Sequence, residues 1–571
     1  MKFNKILGLT TFASIFSIIG GDAISEKVYA MNMLRSALSY LFASRNDCEP
    51  LIADPINETT SAFFNDESLI KMDFLIEFGR VYPETNPKSE ILDGKLMVKN
   101  LQNSCQENIT RMFALLGPMI WITDLCISHI KVPFSLDIMG FFTNLLALNL
   151  EGCTELRSLR GIERFESLKW LNLEGCTGLT SLLEIEHLKN VEWLNLEGCT
   201  GLASLQKIEC LTNLRTLNLK RYAGLTSLQE IECLTNLRAL DLGECDGLAS
   251  LQGIERFTKL ERLCLHKHAR LTSLLAIKDL TNLQTLNLEG CTKLTLLRGT
   301  ERLANLQLLN LGGCTKLITL QGIERLANLQ LLNLEGCTKL ITLYKIECLT
   351  NLEWLSIRGY TRLTSLQEIG LPAKLKQLNL RGCTGLTSLQ GIERLTKLKT
   401  LNLEGCTRLV SLRGMERVAN LKSLDLGGCA ELTLLPEIEY LANLVWLNLE
   451  GCTGLTSLVE IERLTNLKYL NLCGHTSFTS LREIDWLTNL TSLNLRGCTG
   501  LNSLQRIEFF TKLEWLNLEE CTGLTSLSGL KHIRKLKYVF LKGCHALTKQ
   551  DINTFRNDFL ICNERSVHIS T

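Results

Sequence analysis

Proline is scarce in this chain of 571 residues: there are 8, and six of them (Pro50, Pro55, Pro83, Pro87, Pro118 and Pro133) fall before residue 134. Proline removes a backbone donor and interrupts hydrogen-bonded ladders, so the skew separates two kinds of chain. Aromatics are also few, at 6 %. Neither sign of charge dominates, with 61 Lys and Arg against 60 Asp and Glu. That balance argues against a nucleic-acid binder, which carries a basic patch or a high pI. Catalytic signatures are missing too: there is no G-x-x-x-x-G-K-[ST], H-E-x-x-H, G-x-S-x-G or C-x-x-C. What is plentiful is apolar residues, at 45 %, which excludes wholesale disorder. The 23 cysteines raise the question of a disulfide scaffold or metal sites.

Self-similarity answers part of that question. The frame L-x-x-L-x-L-x-G-C-T-x-L-x-S-L-x-x-I-E-x-L-x-N recurs every 23 residues, in eighteen copies whose first residues run from Leu145 to Leu536 without an insertion or deletion. A degenerate copy precedes them, with Ile122, Leu125 and Ile127 in frame. Within L-x-L the period of two fits a strand, leucines inward and their neighbours outward. One coil is too small to bury its own leucines, and stacking makes a continuous core.

These residues resemble the leucine-rich-repeat family, whose signature is L-x-x-L-x-L-x-x-N/C-x-L. The segment G-C-T-x-L-x-S-L is similar to repeats of plant disease-resistance receptors, and the short period to the class with 3₁₀ or irregular convex segments. The resemblance implies an α/β solenoid, a right-handed horseshoe with a parallel β-sheet on its concave face, across residues 122–547 in about 18–19 repeats. Some bacterial members carry a catalytic domain after the repeats, ubiquitin ligases for instance. Here about 25 residues follow the last coil, and the expectation is no enzyme.

The ends read differently. Residues 1–23 look like a Sec-type signal peptide: Lys2 and Lys5 precede the uncharged run from Ile6 to Ile19. The chain is therefore expected to be secreted or at the cell surface, with an uncleaved membrane tether as the alternative. That run is shorter than the roughly 20 residues that span a bilayer, and no later run qualifies as a span. Residues 24–121 hold no repeat and are expected to form a small, mostly helical domain that caps the solenoid. Residues 548–571 are expected to close the other end, with a helix starting at Asp551 and a last strand at 566–569.

In a solenoid, chemistry shows as a column. Cys fills the Asn/Cys position in 14 of 18 coils, with Tyr222, His268, Tyr360 and His475 in the others. The resemblance implies that this side chain turns inward and serves backbone groups where the strand ends. In-register neighbours about 4.8 Å apart are too distant for bridged Cβ atoms at about 3.8 Å, so structural thiols are expected. Cys210 with Cys233, and Cys48 with Cys105, are possible bridges. Cys264 and His266, beside Asp241, offer two ligands of a metal site, which His268 in the inward column cannot easily join. No metal or cofactor is expected.

Three outward lanes remain. The middle strand position is Asn in 13 coils, a ladder expected to hydrogen-bond between coils. The position before it holds Trp170, Trp193, Trp354, Trp446, Tyr469, Trp515 and Tyr538, which are typical protein-binding anchors. The position after the Asn is Glu in eight coils, among them Glu151, Glu174 and Glu197, interrupted by Lys220, Arg358 and Arg381. Adjacent like charges repel, so solvation or a basic partner is expected to offset them. The I-E column (Glu163, Glu186, Glu324, Glu393) reads as a solvated edge. Together these lanes predict a monomeric, non-enzymatic protein that binds a protein partner, with a host protein as one candidate, on its concave face. The candidate contacts are the seven aromatics with Glu174, Glu197, Arg358 and Arg381. The alternative is an adaptor or effector in which 31–121 acts and the repeats select the target.

Overall fold

The computed structural model describes residues 122–570, apart from 141, 345 and 564–566, together with two earlier strands, Leu75–Glu77 and Lys95–Lys99. The chain divides into two compact units, Met1–Leu260 and Glu261–Thr571.

In the first unit the strands Asp124–Ser128, Ala147–Asn149, Trp170–Asn172, Trp193–Asn195, Thr216–Asn218 and Ala239–Asp241 pair in parallel, each residue facing the one 23 positions on. In the second unit the same register runs from Arg262–Cys264 to Tyr538–Phe540. The strands between coils are three residues long because only x-L-x alternates before the chain turns. In most coils the turn is made by a glycine just before the Cys position, and Arg221, Glu244, Lys267 and Glu520 take the same positive φ in the others. Gly405, for example, has φ +74°, and a Cβ there would lie 3.7 Å from the Cα of Gly382, so one small residue serves both the backbone twist and the close stacking of coils. Opposite the strands, short 3₁₀ turns such as Ile392–Arg394 return the chain. They agree with the expected irregular convex segments.

The core is the frame made solid. In one coil Leu398, Leu401, Leu403, Cys406, Leu409, Leu412, Met415 and Val418 are all fully buried. Each such leucine contributes roughly 1.5–3 kcal/mol, and no coil could collect them without its neighbours.

Lys95–Lys99 pairs in parallel with Asp124–Ser128, 29 residues later, and Leu75–Glu77 pairs antiparallel with Lys95–Lys99. Two strands therefore stand within the segment expected to be mostly helical. The apolar Leu96–Val98, set between Lys95 and Lys99, extends the sheet instead of starting a helix. The rest of 24–121, the signal-type residues 1–23, Cys48 and Cys105 lie outside the described residues. At the other end a helix runs Lys549–Asn563 with Phe555 and Phe559 buried, and His568–Ser570 pairs with Tyr538–Phe540. No helix among the described residues is long and apolar enough to cross a membrane.

Candidate functional site

The open face of each sheet carries the three outward lanes, and the backbone decides how they are used. At every strand exit that carries Asn, its Oδ1 accepts the N–H two residues on, as in Asn149 from Glu151 (2.9 Å), Asn402 from Glu404 (2.9 Å) and Asn494 from Arg496 (3.1 Å). This is an Asx turn. The expected coil-to-coil Asn ladder is thus mostly absent. It survives where Asn333 Nδ2 donates to Asn310 (2.9 Å) and Asn448 Nδ2 to Asp425 (2.8 Å). Elsewhere the amide turns to the Glu lane of the preceding coil: Asn195 to Glu174 (3.1 Å), Asn218 to Glu197 (3.2 Å) and Asn471 to Glu450 (3.0 Å).

The Glu lane is therefore met from within the chain. Lys220 lies 2.8 Å from Glu197, Arg358 2.8 Å from Glu335 and Arg381 2.6 Å from Glu404. Of the proposed charged contacts only Glu174 has no basic ion-pair partner among the described residues. Burial, then the Glu197 and Glu151 carboxylates, raise its pKa above the usual carboxylate range. The I-E column corrects the solvated-edge reading in a similar way. Glu163, Glu324 and Glu393 each accept the N–H of the glycine two residues earlier at 2.8 Å and so close the 3₁₀ turn. Glu186 instead takes Lys207 at 2.9 Å.

The aromatic lane is brought together in pairs. In the first unit Trp170 and Trp193 are half-buried and stack at 4.4 Å with planes 12° apart. In the second unit Trp354 stands alone between Leu331 and Gln377. Trp446 faces Tyr469, and Trp515 faces Tyr538, in adjacent strands. Trp515 also packs on Phe540 at 5.3 Å. The two tyrosines are the open members, 45 % exposed at Tyr469 and 46 % at Tyr538. Each tryptophan marks a strand whose middle polar residue is shielded: Asn172, Asn195, Ser356, Asn448 and Asn517 keep only 1–9 % of their surface, whereas the lane's other Asn are half-exposed. Residues two apart share a strand face, so the indole lies over its own strand's Asn. Part of each ring is thereby committed to the fold.

The thiol column behaves as expected and more specifically. All fourteen Cys donate S–H to the carbonyl of the second strand leucine of the preceding coil or its equivalent, from 2.9 Å at Cys544 to 3.4 Å at Cys383. Burial pushes these thiols up, to about 11 at Cys291 and about 12 at Cys153 and Cys452. His475 replaces the thiol with Nε2 at 2.7 Å from the Leu449 carbonyl. No described cysteine is in a disulfide, Cys210 and Cys233 included. Cys264 Sγ lies 3.0 Å from His266 Nδ1, while His268 is buried in the column and apart from them.

Eighteen short coils, x-L-x strands in a 23-residue register, 3₁₀ returns and an inward Cys column make one architecture. The fold is that of leucine-rich repeats. Among solved structures, a leucine-rich-repeat protein of Leptospira interrogans is similar over 69 % of this chain and 99 % of its own, at 25 % identity and a TM-score of 0.49. TLR13 in its complex with ssRNA13 is similar over 83 % of this chain and 95 % of its own, at 20 % identity and a TM-score of 0.43. For the plant peptide hormone receptor RGFR1 in complex with RGF2 the shares are 79 % and 95 %, at 18 % identity and a TM-score of 0.28. The sequence matches no protein-family model and no curated protein.

Three features of the repeat array escaped sequence reasoning. A second Asn series at the frame's last position donates Nδ2 to a carbonyl 24 residues back, for example Asn213 to Lys189 (2.9 Å) and Asn443 to Ala419 (3.0 Å). Tyr440, Trp486 and Phe509 are exposed at one frame position on the 3₁₀ side of the second unit. The third feature is a column of exposed cations from Arg270 to Arg362 in the second unit. In each case the signal was the frame position read down the coils.

Proposed function

We propose that the chain is a non-enzymatic binding protein that holds a protein partner against the sheet face of its repeats. The observation that carries this reading is the aromatic lane. Tyr469 and Tyr538 stay about half exposed on a face where the Asn, Glu and Arg groups are largely satisfied by one another. Aromatic side chains that are rigid, partly desolvated and surrounded by paired polar groups are typical anchors at protein interfaces. In the first unit Glu174 and Glu197 flank Trp170 and Trp193, and in the second Arg358 and Arg381 flank Trp354; of these four charged residues only Glu174 has no ion-pair partner among the described residues. The chain acts as a monomer in this reading, with neither nucleic acid nor cofactor. It works outside the cell or at its surface, which rests on the signal-type start at Lys2, Lys5 and the run Ile6 to Ile19. A host protein as partner follows by analogy with the bacterial and plant repeats that the sequence resembles.

Replacing Trp446 and Tyr469 together with Ala tests the reading through capture of partners from a host lysate. Loss of the main captured protein by about tenfold or more is expected for two anchor residues. Unchanged capture of every partner would contradict it.

A further inference from the structure

The near-zero net charge hides a strongly basic line in the second unit. Two positions after the Cys position stand Arg270, Lys293, Lys316, Lys339 and Arg362, in five consecutive coils. All five are exposed, and none of them is in an ion pair among the described residues. The equivalent position in the first unit holds Glu155 and then Gly178, Gly201, Gly224 and Gly247, so the frame does not demand a cation there. The coils are in strict register at the strands. Beyond the cations the chain bonds again from coil to coil, Ile318 N–H to the Thr295 carbonyl (3.2 Å) and Ile341 N–H to that of Ile318 (3.1 Å). With a coil spacing of about 4.8 Å the five charges form a line on the order of 20 Å long. Like charges in register are destabilising, and no ion pair among the described residues offsets them.

Large aliphatic side chains lie along the same line. Leu296, Ile318 and Ile341 are exposed, two or three positions after the cations of their coils. In most other coils Thr or Ala takes the place of Ile318 and Ile341. A line of cations bordered by aliphatic groups matches an extended anionic segment that also carries apolar side chains. We propose that this flank of the second unit docks an acidic protein segment in which Asp or Glu alternates with aliphatic residues. An extended strand sends successive side chains to opposite sides, which places carboxylates over the cations and aliphatic groups over Leu296, Ile318 and Ile341. Single-stranded nucleic acid fits less well, since its binding sites stack bases on aromatic rings and these side chains are aliphatic. This surface is separate from the aromatic lane, so it stands or falls independently of the function proposed above.

The test uses the full chain and a fluorescein-labelled peptide of alternating glutamate and leucine. Its controls are the lysine–leucine counterpart, a uridine oligonucleotide and phosphatidylserine-containing vesicles. Binding of the glutamate–leucine peptide alone is expected. The triple change Lys293→Glu, Lys316→Glu and Lys339→Glu should weaken it by about tenfold or more, because charge complementarity sets such association. The same charge change at other exposed lysines of the unit, Lys397→Glu, Lys399→Glu and Lys422→Glu, should weaken it by no more than about threefold. Ile341→Ser should weaken it by about threefold with the charges intact. Equal loss in the two triple variants would reduce the line to general electrostatics and overturn the proposal. So would no binding of the peptide, or equal binding of the oligonucleotide or the vesicles. Matching far-UV circular dichroism of the variants keeps a folding defect apart from a lost contact.

Discussion

A thiol is a weak hydrogen-bond donor, yet each Cys of the column finds the same kind of carbonyl at the strand end of the preceding coil, one that already accepts a backbone N–H, as Leu150 does from Cys153 (3.2 Å) and Leu426 from Cys429 (3.0 Å). Its small volume suits a place where coils meet at van der Waals distance, and its S–H takes the second lone pair of that carbonyl. The pKa values near 12 keep it protonated, hence a donor and chemically inert. His475 does the same work with a titratable ring. Burial lowers its pKa below the usual 6.5, against the opposing pull of the Leu449 carbonyl. A base with a lowered folded-state pKa binds its proton better when unfolded, so stability is full at neutral pH and falls as pH drops below about 6.5. Thermal melts from pH 7.5 to pH 5 should show a loss of stability in the parent that His475→Cys reduces. Equal pH dependence in both proteins would contradict this account of the ring.

Single elements repeat one bargain between side chain and backbone. The strand ends where Asn Oδ1 captures the N–H two residues on, and Asp241 and Asp425 show that a carboxylate oxygen serves equally (2.8 and 3.0 Å). Asn402→Ala should therefore destabilise by about 1 kcal/mol, the usual net worth of such a bond. Asn402→Asp should cost little. Denaturant melts check this, and equal losses for the two variants would speak against the Asx turn. The sequence made the lane visible but not its use. A column of Asn at a period of 23 is compatible with a ladder, and only the turn geometry decides that Oδ1 stays in its own coil. The Glu of the I-E pair was misread for the same reason, because its partner is a glycine N–H two residues away that is accessible only once the 3₁₀ turn has formed.

For each unit taken whole, the frame alone carried most of the architecture: strand, inward leucines, thiol column and 3₁₀ return were all legible at fixed positions. The two strands at Leu75–Glu77 and Lys95–Lys99 were not, because they lie outside the repeat and their pairing spans irregular intervals. The candidate site was legible as a lane of seven aromatics. Its pairing was partly so, since Trp170 with Trp193 follows from register, whereas Trp515 with Phe540 crosses from one lane to the next. The burial of the middle Asn beneath each indole needed side-chain positions. Arg358 and Arg381 looked available for a partner and are instead held by Glu335 and Glu404. The aromatic lane therefore bears the main weight of the binding claim, and it has a rival in the exposed Tyr440, Trp486 and Phe509 on the 3₁₀ side. Hydroxyl-radical footprinting of the full chain, with and without its captured partner, separates the two most directly. The account predicts protection of Trp446, Tyr469 and Tyr538, with Tyr440, Trp486 and Phe509 unchanged. Protection of those three, with the lane as reactive as before, would contradict it.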